Sequence, residues 1–188
     1  MRTLWLLFWV FLNQILCNIV EENSEQGTKR WWPSISENDA DISGFSHIIS
    51  IMPQQTIKFF LQAPSSQISM EIYRLGYYNG DGGKFVGNAS IIQCGYDVQA
   101  SPSSRSGSST LCVATWQAPH NAYTGVYVAL PIHHNTSNSG STWIRYGIHV
   151  PFIVQPDTES VQSDILFKVS DLTWLLYNSI RGSDKPYL

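Results

Sequence analysis

The sequence predicts a mainly β protein: an antiparallel, immunoglobulin-like β-sandwich over residues 44–156, then the first β–α unit of a truncated α/β domain. Three observations predict it. Seven or so short apolar runs, bounded by Pro, Gly, Asn and Ser turn signals, fill residues 44–156. None of these runs has helical periodicity. Beyond Pro156 the texture changes to a polar linker, a buried-strand pattern and then a helical face.

Residues 1–17 (M-R-T-L-W-L-L-F-W-V-F-L-N-Q-I-L-C) carry one cation and then an apolar run from Leu4 to Leu12. That run falls short of the ~20 residues needed to span a bilayer. It fits the apolar region of a secretory signal cleaved near Cys17; the competing reading is a core strand or an uncleaved anchor. A secreted product leaves the pair Cys94 and Cys112, read as one disulfide closing a Ser/Gly-rich loop. An unstrained bridge of that size is worth roughly 3 kcal/mol. Two sequons, at Asn88 and Asn135, are candidate glycosylation sites. The expectation is a secreted protein without a stable membrane span.

Composition narrows the function classes. Aromatic residues make up 13% of the chain and charged residues also 13%, about half the usual charged share of ~25%. With a net charge of −3 and no Lys/Arg run, nothing is available to neutralise phosphates, and nucleic acid is set aside.

Residues 18–43 read as an extended arm whose Trp31 and Trp32 pack on something later in the chain. H-I-I-S-I-M and T-I-K-F-F-L follow, separated by the turn Pro53-Gln54-Gln55. In residues 67–86, Ile68, Met70 and Ile72 alternate with Ser69, Glu71 and Tyr73, the period of a half-buried strand. A glycine-rich loop then holds Tyr77 and Tyr78, either a hairpin end covered by aromatics or, with Arg74, a contact surface. K-F-V-G-N-A-S-I-I-Q-C, L-C-V-A-T-W-Q-A-P and Y-T-G-V-Y-V-A-L-P-I are further strands, with Trp116 a core anchor and Tyr123 and Tyr127 at a corner. W-I-R-Y-G-I-H-V-P-F-I-V-Q is one long strand or two short ones. Residues 157–163 form a linker. In residues 164–188, Ile165 to Val169 read as a buried strand, and Leu172, Leu175, Leu176 and Ile180 as one helical face.

No hydrolase elbow, zincin motif, C-x-x-C or P-loop is present. His133 and His134 are adjacent, so in a strand they point to opposite faces and make a poor chelate. Ser170, Asp171, Tyr177 and Asn178 sit beyond the carboxyl end of the predicted strand, where open α/β sheets place their sites. Packing of Tyr177 in a helix is the other reading.

Three stretches carry a resemblance: E-N-S-E-Q-G-T (22–28), E-I-Y-R-L-G-Y-Y-N-G (71–80) and S-D-L-T-W-L-L-Y-N (170–178). Together, in this order and with T-G-V-Y-V-A and V-P-F-I-V-Q between the last two, they resemble the large (β) subunit of N,N-dimethylformamidase. The resemblance implies an immunoglobulin-like sandwich ahead of a glutamine-amidotransferase-like α/β domain. It implies iron held by two tyrosines and a glutamate, with Tyr177 the candidate first ligand. The parent reaction it implies is hydrolysis of a small N-substituted formamide to formate and an amine. Leu176 and Ile180-Arg181-Gly182 depart from the family pattern around Tyr177. The expectation is therefore a fragment without bound iron and without activity, partnered by the rest of the catalytic domain and by a small subunit. The alternative is a non-enzymatic extracellular binding or adhesion module.

Overall fold

Alternating apolar side chains make strands wherever one face can be buried, and the described residues form nine strands. The computed structural model describes residues 19–33, 42–96, 110–136 and 142–156. A six-residue helix α1 (Ile19–Ser24) and a 3-10 turn (Lys29–Trp31) precede β1 (Ser43–Ser46), β2 (Ser50–Ile51), β3 (Thr56–Ala63) and β4 (Ile68–Leu75). A second 3-10 turn (Tyr78–Gly80) leads to β5 (Gly83–Tyr96), β6 (Thr110–Gln117), β7 (Gly125–Thr136), β8 (Thr142–Tyr146) and β9 (Val150–Val154). The 142–155 stretch is two strands. They are broken at Gly147, whose N–H reaches Pro131 O at 2.8 Å and whose Cα backs onto Ile42.

The strands hydrogen-bond in the order β1-β3-β6-β5-β4-β7-β9-β2, with β8 added to β7. β1 and β2 thus stand at opposite ends of the order, yet only residues 47–49 separate them along the chain. Three residues reach roughly 10 Å at most. The sheet must therefore curl until its two ends meet. Strand β5 makes the other corner: its first half pairs with β4, its second half with β6, with register shifts at Ile72/Tyr73 and Ile91/Gln93 that bend it. All pairs are antiparallel except β2 with β9, which is parallel, so the sheet is mixed rather than antiparallel throughout. The reason is the same three-residue link: β1 runs antiparallel to β3, and β2 continues in the same sense until it meets β9.

The interior of the curl is the core. Phe152 meets Phe59 and Trp116 edge-on at 5.6 Å each and lies tilted against Tyr127 at 5.5 Å. Trp116 is the core anchor expected. Tyr127 turns back to donate its hydroxyl to Tyr123 O at 2.7 Å, closing the corner before β7. Cys94 and Cys112 face each other across β5 and β6, Cα atoms 4.1 Å apart, and form a disulfide. Replacing both with alanine is expected to cost about 3 kcal/mol in urea unfolding under oxidising conditions, and under reducing conditions the difference from wild type should vanish. Among the described residues no helix is long and apolar enough to cross a membrane. Residues 1–17, 97–109 and 157–188, with the expected signal, loop, linker and Tyr177, lie outside the described residues.

Candidate functional site

Two of the stretches that set this sequence apart, 22–28 and 71–80, are about 50 residues apart in the chain and meet in space. Strand β4 carries Arg74 inward at its end, and the glycine-rich turn swings Tyr78 back beneath it. Helix α1 then lays Glu22 against both. Arg74 Nη1 donates to Tyr78 Oη at 2.7 Å, and Tyr78 Oη donates to Glu22 Oε1 at 2.8 Å. Lys84 Nζ, from β5, donates to both Glu22 oxygens at 3.2 and 3.0 Å and to Glu25 Oε2 at 2.5 Å. Arg74 Nη2 reaches Thr124 O at 3.0 Å, tying this cluster to the turn before β7. Glu22 and Arg74 are buried, and two cations face two carboxylates, which is what makes burial of these charges tolerable.

Backbone groups complete the latch. Asn23 Oδ1 accepts from Tyr77 N at 2.8 Å, Asn79 Nδ2 donates to Ser24 O at 3.1 Å, and Thr28 N donates to Gly83 O at 2.8 Å. Tyr78 and Asn79 take φ of 40° and 55°, a left-handed conformation that costs a non-glycine residue roughly 1–2 kcal/mol. Such strain persists where surrounding bonds over-determine it, and here Tyr78 is held at its hydroxyl from two sides. The close approach explains two glycines. A Cβ on Gly27 would lie 2.6 Å from Tyr78 Cβ, and one on Gly83 2.6 Å from Trp31 Cδ1.

Past Thr28 the arm crosses the outer face of the sheet. Arg30 binds Glu71 Oε1 at 2.9 Å, and Tyr73 donates its hydroxyl to the other oxygen of Glu71. Trp31 covers Gly82 and Gly83 and donates Nε1–H to Asp81 O at 2.8 Å. Trp32 stacks on His149, whose Nε2–H donates to Trp31 O at 2.5 Å. These are the partners that the tryptophans of the arm find.

The electrostatics are those of a structural joint. Burial, reinforced by the bond to Glu22 and opposed by Arg74, pushes the Tyr78 hydroxyl up to about 12. Burial and then the bond to Glu71 hold Tyr73 well above the usual phenol range. Burial would lower Lys84, but its bonds to Glu25 and Glu22 outweigh this and raise it. Burial lowers His149, only partly offset by its bond to Trp31 O. A base with a depressed folded pKa gives stability that is present above its ordinary value of 6.5 and lost as pH falls. Wild-type protein is therefore expected to lose more melting temperature between pH 7.5 and 5.5 than His149→Phe does. Equal losses in the two proteins would contradict this.

Iron(III) requires phenolate and carboxylate oxygens free to bind it. Both described tyrosine–carboxylate pairs keep their phenols protonated, and Arg30, Arg74 or Lys84 already bonds each carboxylate or its tyrosine. The described residues do not fit the metal. Among them no group of three His, Cys, Asp or Glu side chains gathers either. His133 and His134 diverge as expected, bonding Ser65 at 2.8 Å and Ser69 at 2.7 Å from opposite faces of β7. Asn88 is exposed on β5 opposite Glu71, and Asn135 is half-buried on β7 opposite Trp143.

The described residues thus form a curled, mainly β module whose N-terminal arm is held by a buried, charge-balanced latch. A model of the family described as "N,N-dimethylformamidase beta subunit-like, C-terminal" matches residues 69–187, well over half of the chain, and the chain belongs to that family. Residues 22–28 precede the match, yet they are bound to its first strand and loop. No curated protein matches the chain. Among solved structures it is similar to a neutral ceramidase from Pseudomonas aeruginosa, with 11% identity over 71% of this chain and 22% of that one and a TM-score of 0.42. It is similar also to a ceramidase complexed with C2, at 10% identity, 70% and 21% coverage and a TM-score of 0.42. A family 123 glycoside hydrolase from Clostridium perfringens follows at 12% identity, 59% and 23% coverage and a TM-score of 0.27. The chain spans about a fifth of the length of these structures.

Proposed function

We propose that the described strands are the non-catalytic scaffold of a dimethylformamidase-β-like protein. The observation that carries this is the latch: Arg74, Tyr78, Asn79 and Glu22, the residues of the family-like stretches, are all engaged in holding the arm to the sheet. We read the curled sheet as an immunoglobulin-like sandwich. The sets β1-β3-β6-β5 and β4-β7-β9, the sheet-switching start at β1/β2 and the Tyr127 corner support that reading. The amidohydrolase chemistry, iron-dependent release of formate and amine from a small N-substituted formamide, then belongs to the α/β segment that opens at residue 164, with Tyr177 as a candidate ligand. One phenolate holds no iron by itself, so in this reading Tyr177 acts with further ligand residues and with a small subunit. Secretion, with processing near Cys17 and glycans at Asn88 and Asn135, completes the reading.

The test is formate release from N,N-dimethylformamide, together with iron content, for the purified chain and for Tyr177→Phe. Neither protein should bind stoichiometric iron or release formate. Formate release that is lost in Tyr177→Phe would overturn the scaffold reading. A second reading, an adhesion or binding module, is favoured by Tyr77 and Trp32, exposed at 70% and 68% beside the latch. Alanine at both positions would then abolish binding to a cell or glycan surface and leave folding intact.

A further inference from the structure

The glycine-rich turn holds the only Asn-Gly pair of the chain, Asn79-Gly80. A glycine leaves its backbone nitrogen unshielded, because no Cβ stands beside it. That nitrogen can therefore reach the side-chain carbonyl carbon of the asparagine before it and close a ring. Both residues are exposed, and nothing lies within 4 Å of where a Gly80 Cβ would stand, so water has access to the pair. Yet the fold engages both groups that such a reaction needs. Gly80 N–H donates to Tyr77 O at 2.8 Å, which holds the proton that the nitrogen must lose. Asn79 Nδ2, the group that must leave, donates to Ser24 O at 3.1 Å and Glu25 O at 3.4 Å. Both of these acceptors belong to the docked arm.

We propose that Asn79 is a self-modification site guarded by the arm, and that its conversion disables the latch. When the arm opens, Nδ2 loses its two carbonyl partners and the side chain is free to turn toward Gly80 N. Hydroxide takes the Gly80 amide proton, and the nitrogen bonds to Asn79 Cγ. The Cγ–Nδ2 bond then breaks. Ammonia leaves with a proton from water, which regenerates hydroxide and leaves a succinimide. Water opens that ring to aspartate or isoaspartate, so the net change is amide plus water to acid plus ammonia. A carboxylate accepts hydrogen bonds and donates none. At position 79 it faces the carbonyls of Ser24 and Glu25, acceptor against acceptor, and the arm loses that tie. The isoaspartyl product also routes the chain through the side-chain carbon, which lengthens a turn set by left-handed Tyr78 and Asn79. Opening of the arm is thus recorded covalently. The proposal needs no catalytic activity and stands apart from the scaffold reading.

Peptide mapping by mass spectrometry, during incubation in mildly alkaline buffer, tests it. A synthetic peptide of residues 74–84 gives the unguarded rate, and Asn79 in the full chain should convert at least about tenfold more slowly, since only the locally opened arm exposes it. Isoaspartate should appear beside aspartate, as ring opening requires. Glu22→Ala, which loosens the arm, should speed conversion about tenfold or more. Asn79→Asp installs the product directly. Hydrogen exchange over 19–33 should rise about tenfold in that variant, while β3 and β6 keep their protection. Conversion of wild type as fast as the free peptide, no acceleration in Glu22→Ala, or wild-type exchange of the arm in Asn79→Asp would each overturn the proposal.

Discussion

Glu22→Ala is expected to destabilise arm docking by about 3 kcal/mol, the scale for removing one member of a buried ion pair. Glu22 is 2% exposed and accepts from Tyr78 Oη and from Lys84, so its loss leaves the buried phenol O–H without its acceptor and Lys84 with Glu25 alone. The strained left-handed backbone at Tyr78 also loses one of its two anchors. Helix α1 has six residues and cannot stand alone, so the whole 19–33 arm should loosen together. The readout is amide exchange over 19–33, which should rise on the order of a hundredfold while β3 and β6 are unaffected. Glu22→Gln keeps an acceptor for Tyr78 and should lose appreciably less. Equal exchange in wild type and Glu22→Ala would mean that the arm is held by Trp31 and Trp32 rather than by the charged latch.

Phe152→Ala is expected to cost about 4 kcal/mol in global stability, the usual range for an aromatic deleted from a packed core. Phe152 is fully buried and touches Phe59, Trp116 and Tyr127, so three rings from three other strands lose a common neighbour. β-Strands cannot collapse inward without breaking the ladders on either side, so the cavity should remain. Urea unfolding checks the value. The midpoint should fall, with the slope on denaturant unchanged if the variant still folds as one unit. Leu111→Ala, on the exposed face, should stay within about 0.5 kcal/mol of wild type.

Much of this was legible in the chain. Ile68, Met70 and Ile72 show the period of two, and their burial follows from it. T-I-K-F-F-L and L-C-V-A-T-W behave likewise, because alternation is a local property that any half-buried strand must have. Other features were not local. The parallel pairing of β2 with β9 depends on where a three-residue link can reach once the sheet has curled. Tyr78 gave no sign in the sequence of being a buried network member rather than a surface aromatic. Its environment is built by Glu22, which lies 56 residues earlier.

The glycine-rich turn marks the line between the two. By itself the sequence determined that residues 76–83 form a shaped loop, since Gly76, Gly80, Gly82 and Gly83 in so short a span permit little else. It determined the strand pattern on either side for the same local, steric reason. Only the tertiary structure decided what the loop is shaped for. Gly83 has no side chain because Trp31 lies on it, and Tyr78 turns inward because a carboxylate from the arm and a guanidinium from β4 converge on its hydroxyl. Those causes act through space between distant segments, and no local pattern carries them.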